Sequence, residues 1–211
     1  MMSNAISCSA WQLYVIVDPS AAGGRDLVWV AEQAIRGGAD AIQLREKHAS
    51  ATHLLDDARR VLQVTKARGV PLIINDRADV ALAAGADGVH LGQDDVPVEA
   101  ARRILGPHAL IGRSTHSVSQ ALTADAEPLD YVALGPLYPT PTKPDAPHIG
   151  LEAIGQVRQK LRHPLVVIGG IDAARIPDVR NAGARCIVVV RAVCAAPDPC
   201  SAARILKQLL L

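Results

Sequence analysis

Gln43, Arg45 and Lys47 stand at alternate positions where the apolar run "AIQL" (41–44) gives way to "REK" (45–47). In a strand, successive side chains point to opposite faces, so these three share one face and Leu44 and Glu46 share the other. An amide and two cations converging from one strand end outline an anion site. Burying unpaired charge costs several kcal/mol. A phosphate-bearing ligand would offset that cost, and Arg binds phosphate through two parallel hydrogen bonds.

Carboxylates follow at matching places. "NDR" (75–77) ends one apolar run, and nineteen residues after Asp76 "HLGQDD" ends the next at Asp94 and Asp95. Carboxylates on adjacent strand ends facing Arg45 and Lys47 suit a Mg2+ ion that bridges a diphosphate, since Mg2+ takes one or two protein carboxylates and leaves the remaining positions to substrate and water. Taken alone, "NDR" reads equally well as a helix N-cap with Asp76 capping; the cations opposite favour the metal. Ser114, in "GRSTHS", either donates to a ligand or caps the next helix, and His116 reads as structural. "GPLYPTPTKPDAPHIG" places Thr140, Thr142 and Lys143 between prolines, which suits oxyanion recognition. Gly169 and Gly170 allow a ligand close to the backbone. Two anion sites result, one with a metal and one suited to a monophosphate. The chemistry implied is displacement of pyrophosphate by a second, phosphorylated substrate. No Ser–His–Asp or Cys–His grouping suggests covalent catalysis, and no histidine spacing suggests zinc.

Regular elements must hold these groups. Eight short apolar runs recur: 13–17, 41–46, 71–76, 88–92, 110–115, 131–137, 165–170 and 186–192. Stretches of helical spacing lie between them, such as "DLVWVAEQAIRGG" and "LEAIGQVRQKLR". "RGGADAI", "AGADGVH" and "AGARCIV" each put Gly at a helix end just before the next strand, which suits a left-handed C-cap. Alternating strands and helices imply parallel pairing with right-handed crossovers. Eight units in 211 residues predict a single compact (β/α)8 TIM barrel, α/β in class, spanning 1–211 with 1–11 as a lead-in. An open doubly wound sheet would carry a Gly-rich turn after its first strand, and "VDPSAAGG" is a poor match. In a barrel of this kind the active site sits at the C-terminal ends of the strands, where all of the groups above fall.

The bulk properties exclude other classes. A formal net charge of +1 gives no long-range attraction for nucleic acid or an anionic membrane. No apolar stretch is long enough to span a bilayer, and "MMSNAISCSAWQ" lacks the regions of a signal peptide, so a cytoplasmic protein acting on small molecules is expected. With two Trp, three Tyr and no Phe the core must be aliphatic. Cys8, Cys186, Cys194 and Cys200 form no C-x-x-C pair and read as buried, idle thiols.

Together "QLREK" (43–47), "NDR" (75–77), "GVHLGQDD" (88–95), "GRSTHS" (112–117), "GPLYPTPTK" (135–143) and "VIGGI" (167–171) resemble the thiamine-phosphate synthase family, in order and at matching spacing. The resemblance implies joining of 4-amino-2-methyl-5-(hydroxymethyl)pyrimidine diphosphate to 4-methyl-5-(2-hydroxyethyl)thiazole phosphate, or its carboxylated form, with release of pyrophosphate. The product would be thiamine monophosphate. By the same resemblance Gln43, Leu44, Arg45, Glu46, Lys47, Asn75, Ser114 and Lys143 contact the pyrimidine diphosphate, with Arg45, Lys47, Ser114 and Lys143 catalytic. Asp76 and Asp95 would hold Mg2+. Thr140, Pro141, Thr142, Gly170, Val190 and Arg191 would hold the thiazole phosphate. The family reaction is thought to pass through a pyrimidine-stabilised carbocation. One departure is Arg191, where the family commonly has Ser.

Rival readings fit less well. The paralogous thiazole tautomerase resembles this pattern but carries a His after the Gly at 135, where this chain has Pro136. A Schiff-base aldolase needs a desolvated Lys, whereas Lys143 lies in a Pro-rich loop and Lys47 beside Arg45. A barrel that only senses phosphorylated metabolites would lack a metal carboxylate or Lys143, and all are present.

Overall fold

The protein is described by a computed structural model over residues 8–140 and 147–211. A short 3-10 turn, Cys8–Ala10, leads into eight parallel strands: β1 (Leu13–Val17), β2 (Ala41–Leu44), β3 (Leu72–Asn75), β4 (Gly88–Leu91), β5 (Leu110–Thr115), β6 (Tyr131–Leu134), β7 (Leu165–Ile168) and β8 (Cys186–Val189). Each pairs with the next, and β8 pairs with β1, so the barrel is closed in chain order. The helices alternate with the strands: α1 (Pro19–Ala22), α2 (Leu27–Arg36), α3 (Ala51–Ala67), α4 (Ala78–Ala84), α5 (Val98–Leu105), α6 (Val118–Ala124), α7 (Glu152–Arg158), α8 (Ile176–Asn181), α9 (Arg191–Cys194) and α10 (Pro199–Leu210). The expected (β/α)8 barrel is what the chain forms.

Two differences from the expectation matter for the site. Six of the eight apolar runs continue past their strands; β2 ends at Leu44, and Arg45 follows it with its N–H still donating to Val17 O at 3.0 Å. Of the three glycine caps, Gly85 is the left-handed C-cap of α4. At the ends of α2 and α8 the positive φ falls one residue later, on Gly38 and Gly183.

Strand alternation divides the apolar residues into two cores. Outward-facing positions such as Val15, Ile42, Leu44, Ile74 and Val89 pack beneath the helices. Inward-facing positions, among them Tyr14, Ile73, Leu110, Tyr131 and Val166, fill the barrel. Trp11 plugs the N-terminal end, with ring centroids 5.4 Å from Tyr14 and 5.6 Å from Tyr131. Tyr131 fits only because Gly112 faces it: a Cβ there would lie 2.1 Å from the tyrosine Cζ. Toward the C-terminal ends the same inward positions turn polar, at Gln43, Asn75, His90 and Ser114. The four cysteines are free and buried, and burial pushes the Cys194 thiol up to about 11, which leaves it unreactive at neutral pH.

Candidate active site

A cavity of about 420 Å3 opens at the C-terminal ends of the strands, floored by Gln43, Asn75, His90 and Ser114 and flanked by Arg45 and Arg191. On one side stand the charged ends of β2, β3 and β4. Arg45 does not wait unpaired, as the sequence argument assumed: its guanidinium donates to Asp18, a carboxylate buried at the end of β1. Asp18 is fixed in turn by capping α1, accepting from the Ser20 backbone N–H at 2.8 Å and its hydroxyl at 2.6 Å. A guanidinium has five N–H donors, so Arg45 can keep Asp18 and still offer a fork to an oxyanion.

Lys47 is also paired, 3.5 Å from Asp76. Asp76 does not cap α4: the N-cap is Arg77, with no side-chain cap hydrogen bond. Instead Asp76 has a left-handed backbone, φ 64°, a conformation Asp tolerates better than most residues. Burial, and then the neighbouring Asp95, raise its carboxyl above the usual 3.8. Asp95 is steadied by the Gly92 backbone N–H, which donates to it at 2.6 Å. Two carboxylates side by side with one ammonium against them form a site short of positive charge. Asp94 is exposed.

The pleat decides which parts of "QLREK" reach the cavity. Gln43 and Arg45 line it, and Lys47 stands by Asp76. Leu44 and Glu46, named by the resemblance among the diphosphate contacts, send their side chains the other way. Leu44 is wholly buried under the helices, and Glu46 lies near His53 and Asp57, its carboxyl raised by burial and then by Asp57.

Ser114 caps no helix; that role belongs to Ser117, whose hydroxyl accepts from Gln120 at 3.1 Å. Ser114 Oγ lies 2.8 Å from His90 Nε2, and its carbonyl accepts from Gln93 at 2.5 Å. His116 contacts the Gly135 carbonyl through Nδ1 at 2.6 Å, holding the loop after β6.

The opposite side of the cavity is made largely of backbone. The loop after β7 zips onto the loop after β6: the Leu137 N–H donates to Ile168 O at 2.9 Å and the Tyr138 N–H to Gly169 O at 3.1 Å. Gly169 and Gly170 have φ of 107° and 65°, and a Cβ on Gly170 would lie 2.7 Å from the Pro139 carbonyl. Arg175 pins this corner by donating to Gly170 O, its guanidinium 4.8 Å above the Tyr138 ring. Thr140, Gly170, Val190 and Arg191 line the cavity here, with Arg191 exposed at the first position of α9. Pro141, Thr142 and Lys143 lie outside the described residues.

Sequence reasoning missed Asp18, Arg175, and the buried hydroxyls of Tyr14 and Tyr131 behind the cavity floor. Asp18 could have been found as a carboxylate at a barrel strand end; "VDPS" was judged only as a glycine turn.

The thiamine monophosphate synthase family model matches residues 13–193. A thiamine-phosphate synthase from Chloroflexus aurantiacus is 49% identical over 201 residues, covering 95% of this chain and 93% of that protein. One from Mycobacterium sp. strain JLS is also 49% identical, covering 94% and 92%. The solved structure of thiamine phosphate pyrophosphorylase from Pyrococcus furiosus superposes with a TM-score of 0.88 at 35% identity, covering 96% of each chain.

Proposed function

The chain belongs to the thiamine monophosphate synthase family, whose members are transferases, and we propose that it joins 4-amino-2-methyl-5-(hydroxymethyl)pyrimidine diphosphate to 4-methyl-5-(2-hydroxyethyl)thiazole phosphate or its carboxylated form. The observation that carries this reading is the cluster of Lys47, Asp76 and Asp95 past the ends of β2, β3 and β4, beside a cavity that Arg45 and Asn75 line. A single diphosphate needs cations and a metal together, and these residues supply both kinds of partner.

In this reading the pyrimidine sits on the cavity floor by Gln43, Asn75 and Ser114. Its diphosphate lies against Arg45 and Lys47, which turn toward the leaving group while Asp18 keeps Arg45 in place. Asp76 and Asp95 would hold Mg2+. Their fit rests on the donor set: two adjacent carboxylates, one raised by burial and its neighbour, favour a hard divalent cation with oxygen ligands. When bound, that ion offsets the charge of the departing pyrophosphate. The bond from the pyrimidine methylene carbon to the diphosphate oxygen breaks with its electron pair leaving on oxygen. The thiazole nitrogen lone pair then forms the new carbon–nitrogen bond to a pyrimidine-stabilised cation; with the carboxylated thiazole the ring carbon–carboxylate bond also breaks, CO2 leaves and a solvent proton takes its place. No protein nucleophile is required, and the rate derives from positioning and electrostatics.

The thiazole phosphate rests against Thr140, Gly170, Val190 and Arg191, with Pro141 and Thr142 assigned to it, and Lys143 to the pyrimidine diphosphate, by the family resemblance. The partners are therefore small phosphorylated molecules, as expected of a cytoplasmic enzyme. No helix among the described residues is long and apolar enough to cross a membrane. The test is pyrophosphate release with both substrates and Mg2+, and with each omitted in turn. Release is expected only with all three. Release without the thiazole, or none with a folded protein, removes the reading.

A further inference from the structure

Behind the cavity floor five side chains form one hydrogen-bonded chain across the barrel. Gln43 Nε2 donates to the Tyr14 hydroxyl at 2.7 Å. The Tyr14 and Tyr131 hydroxyls are 3.1 Å apart, and Tyr131 is 3.0 Å from His90 Nδ1. His90 Nε2 is 2.8 Å from Ser114 Oγ. Tyr14 and Tyr131 are wholly buried, and burial raises both phenols well above their ordinary range, so each hydroxyl carries one proton.

One proton per hydroxyl gives the chain a direction. Tyr14 accepts from Gln43, so its own proton points to Tyr131. Tyr131 must then donate to His90 Nδ1, which leaves the imidazole proton on Nε2, donated to Ser114. The Ser114 hydroxyl proton is thereby free to point into the cavity. Flipping the Gln43 amide reverses every link, because both ends are tied through the same three residues.

We infer that His90 is a positioning residue: its tautomer, passed through Tyr131 and Tyr14, sets the Gln43 amide and the Ser114 hydroxyl to read the donor and acceptor pattern of an aminopyrimidine. With the Nε2–H tautomer, Gln43 offers its oxygen and one remaining N–H, and Ser114 offers a donor. A 4-aminopyrimidine meets these with an amino donor and ring-nitrogen acceptors. A 4-oxopyrimidine protonated at its neighbouring ring nitrogen presents the reverse pattern. The inference rests on the reading above, in which the cavity takes the pyrimidine diphosphate, and adds the machinery that selects it.

Tyr131→Phe is the informative variant, because it keeps the ring packed on Trp11 and removes one hydroxyl that does not line the cavity. Nitrogen-15 spectra of the imidazoles in the free wild-type protein, with His90 assigned from a His90→Gln sample, should show His90 protonated on Nε2. They should also show a mixture of tautomers in Tyr131→Phe. A wild-type proton on Nδ1 overturns the inference. Turnover is then compared for the 4-amino and 4-oxo pyrimidine diphosphates. The wild type should favour the amino substrate, and Tyr131→Phe should lose about tenfold of that preference, mostly through KM. Tyr14→Phe breaks the adjoining link and should do the same. An unchanged preference in both folded variants sinks the relay. If the wild type turns over neither substrate, the synthase reading and the pyrimidine half of this inference fall together, while the tautomer assignment stands or falls on its spectrum.

Discussion

The two sides of the cavity are built from different materials. Over β2 to β4 the working groups are charged side chains that hold one another: Arg45 with Asp18, Lys47 with Asp76, and Asp76 beside Asp95. Over β6 to β8 the groups are backbone amides and glycines held by two loops hydrogen-bonded together. Charged groups that pair internally can exchange partners when a ligand arrives, so this side should respond to charge, metal and pH. On that wall Arg175 is already engaged with the Gly170 carbonyl and Asp172, so apart from Arg191 it should respond to shape.

The sharpest test of that contrast is Asp76→Asn. Asn tolerates the φ of 64°, so the fold should survive with a melting temperature close to wild type. Removing the charge should lower kcat/KM by about 10²–10³-fold, the order seen when one electrostatic partner of a developing charge is lost. Steady-state pyrophosphate release beside thermal unfolding measures both, and near-normal turnover would show that Asp76 holds no metal.

Asp18→Asn should come next. It keeps an oxygen to cap α1 but leaves the largely buried Arg45 without its counter-charge, at a cost of about 3 kcal/mol in stability. Affinity for the pyrimidine diphosphate should fall with it. A variant that unfolds at the wild-type urea midpoint would mean that water serves Arg45 as well as Asp18 does.

Linkage gives a third test. A carboxyl whose folded value is raised binds its proton more tightly in the folded than in the unfolded chain. Asp76 therefore contributes stability below its unfolded value, ordinarily near 3.8, and that contribution is lost as pH rises through the higher folded value. A divalent cation relieves the ionised pair, so Mg2+ should raise the melting temperature more at pH 7 than at pH 4. Equal shifts at both would remove the paired carboxylates as its site.

These groups were unequally legible in the sequence. The strands were plain because each is a short run buried on both faces, as parallel strands are. The runs 13–17 and 110–115 match β1 and β5 at both ends, whereas the other six reach past their strands, since a run such as "AIQLRE" does not mark where the ladder stops. Gln43, Arg45 and Lys47 were found by alternation, and the same rule shows why Leu44 and Glu46 turn away. Asp18 was passed over because "VDPSAAGG" was weighed only against a glycine-rich turn. The Tyr14–Tyr131–His90 relay was out of reach because its members sit singly on β1, β6 and β4, inside runs that read as plain core. Only the closed barrel brings them together.

On the backbone side, Gly170→Ala should act by shape. The left-handed φ costs an alanine about 1–2 kcal/mol, and its Cβ would press on the Pro139 carbonyl 2.7 Å away. The β6 loop must shift, so KM for the thiazole phosphate should rise several-fold with KM for the pyrimidine diphosphate little changed. Equal changes in both would mean that the two sides are not separable.

Arg191→Ser should have the smallest effect, and it is the finest probe of the contrast. Arg191 is exposed at the start of α9 and lines the cavity, so its removal should change stability by no more than about 0.5 kcal/mol. If backbone amides hold the thiazole phosphate, the guanidinium only adds long-range attraction, which salt screens over about 10 Å at 0.1 M. KM for the thiazole phosphate should then rise a few-fold at low ionic strength and converge with wild type as salt is added. A deficit that persists at high salt would mean that Arg191 contacts the phosphate directly. In that case this chain has put a side-chain charge where the rest of that wall relies on backbone, and the division between the two sides is less complete than the glycines suggest.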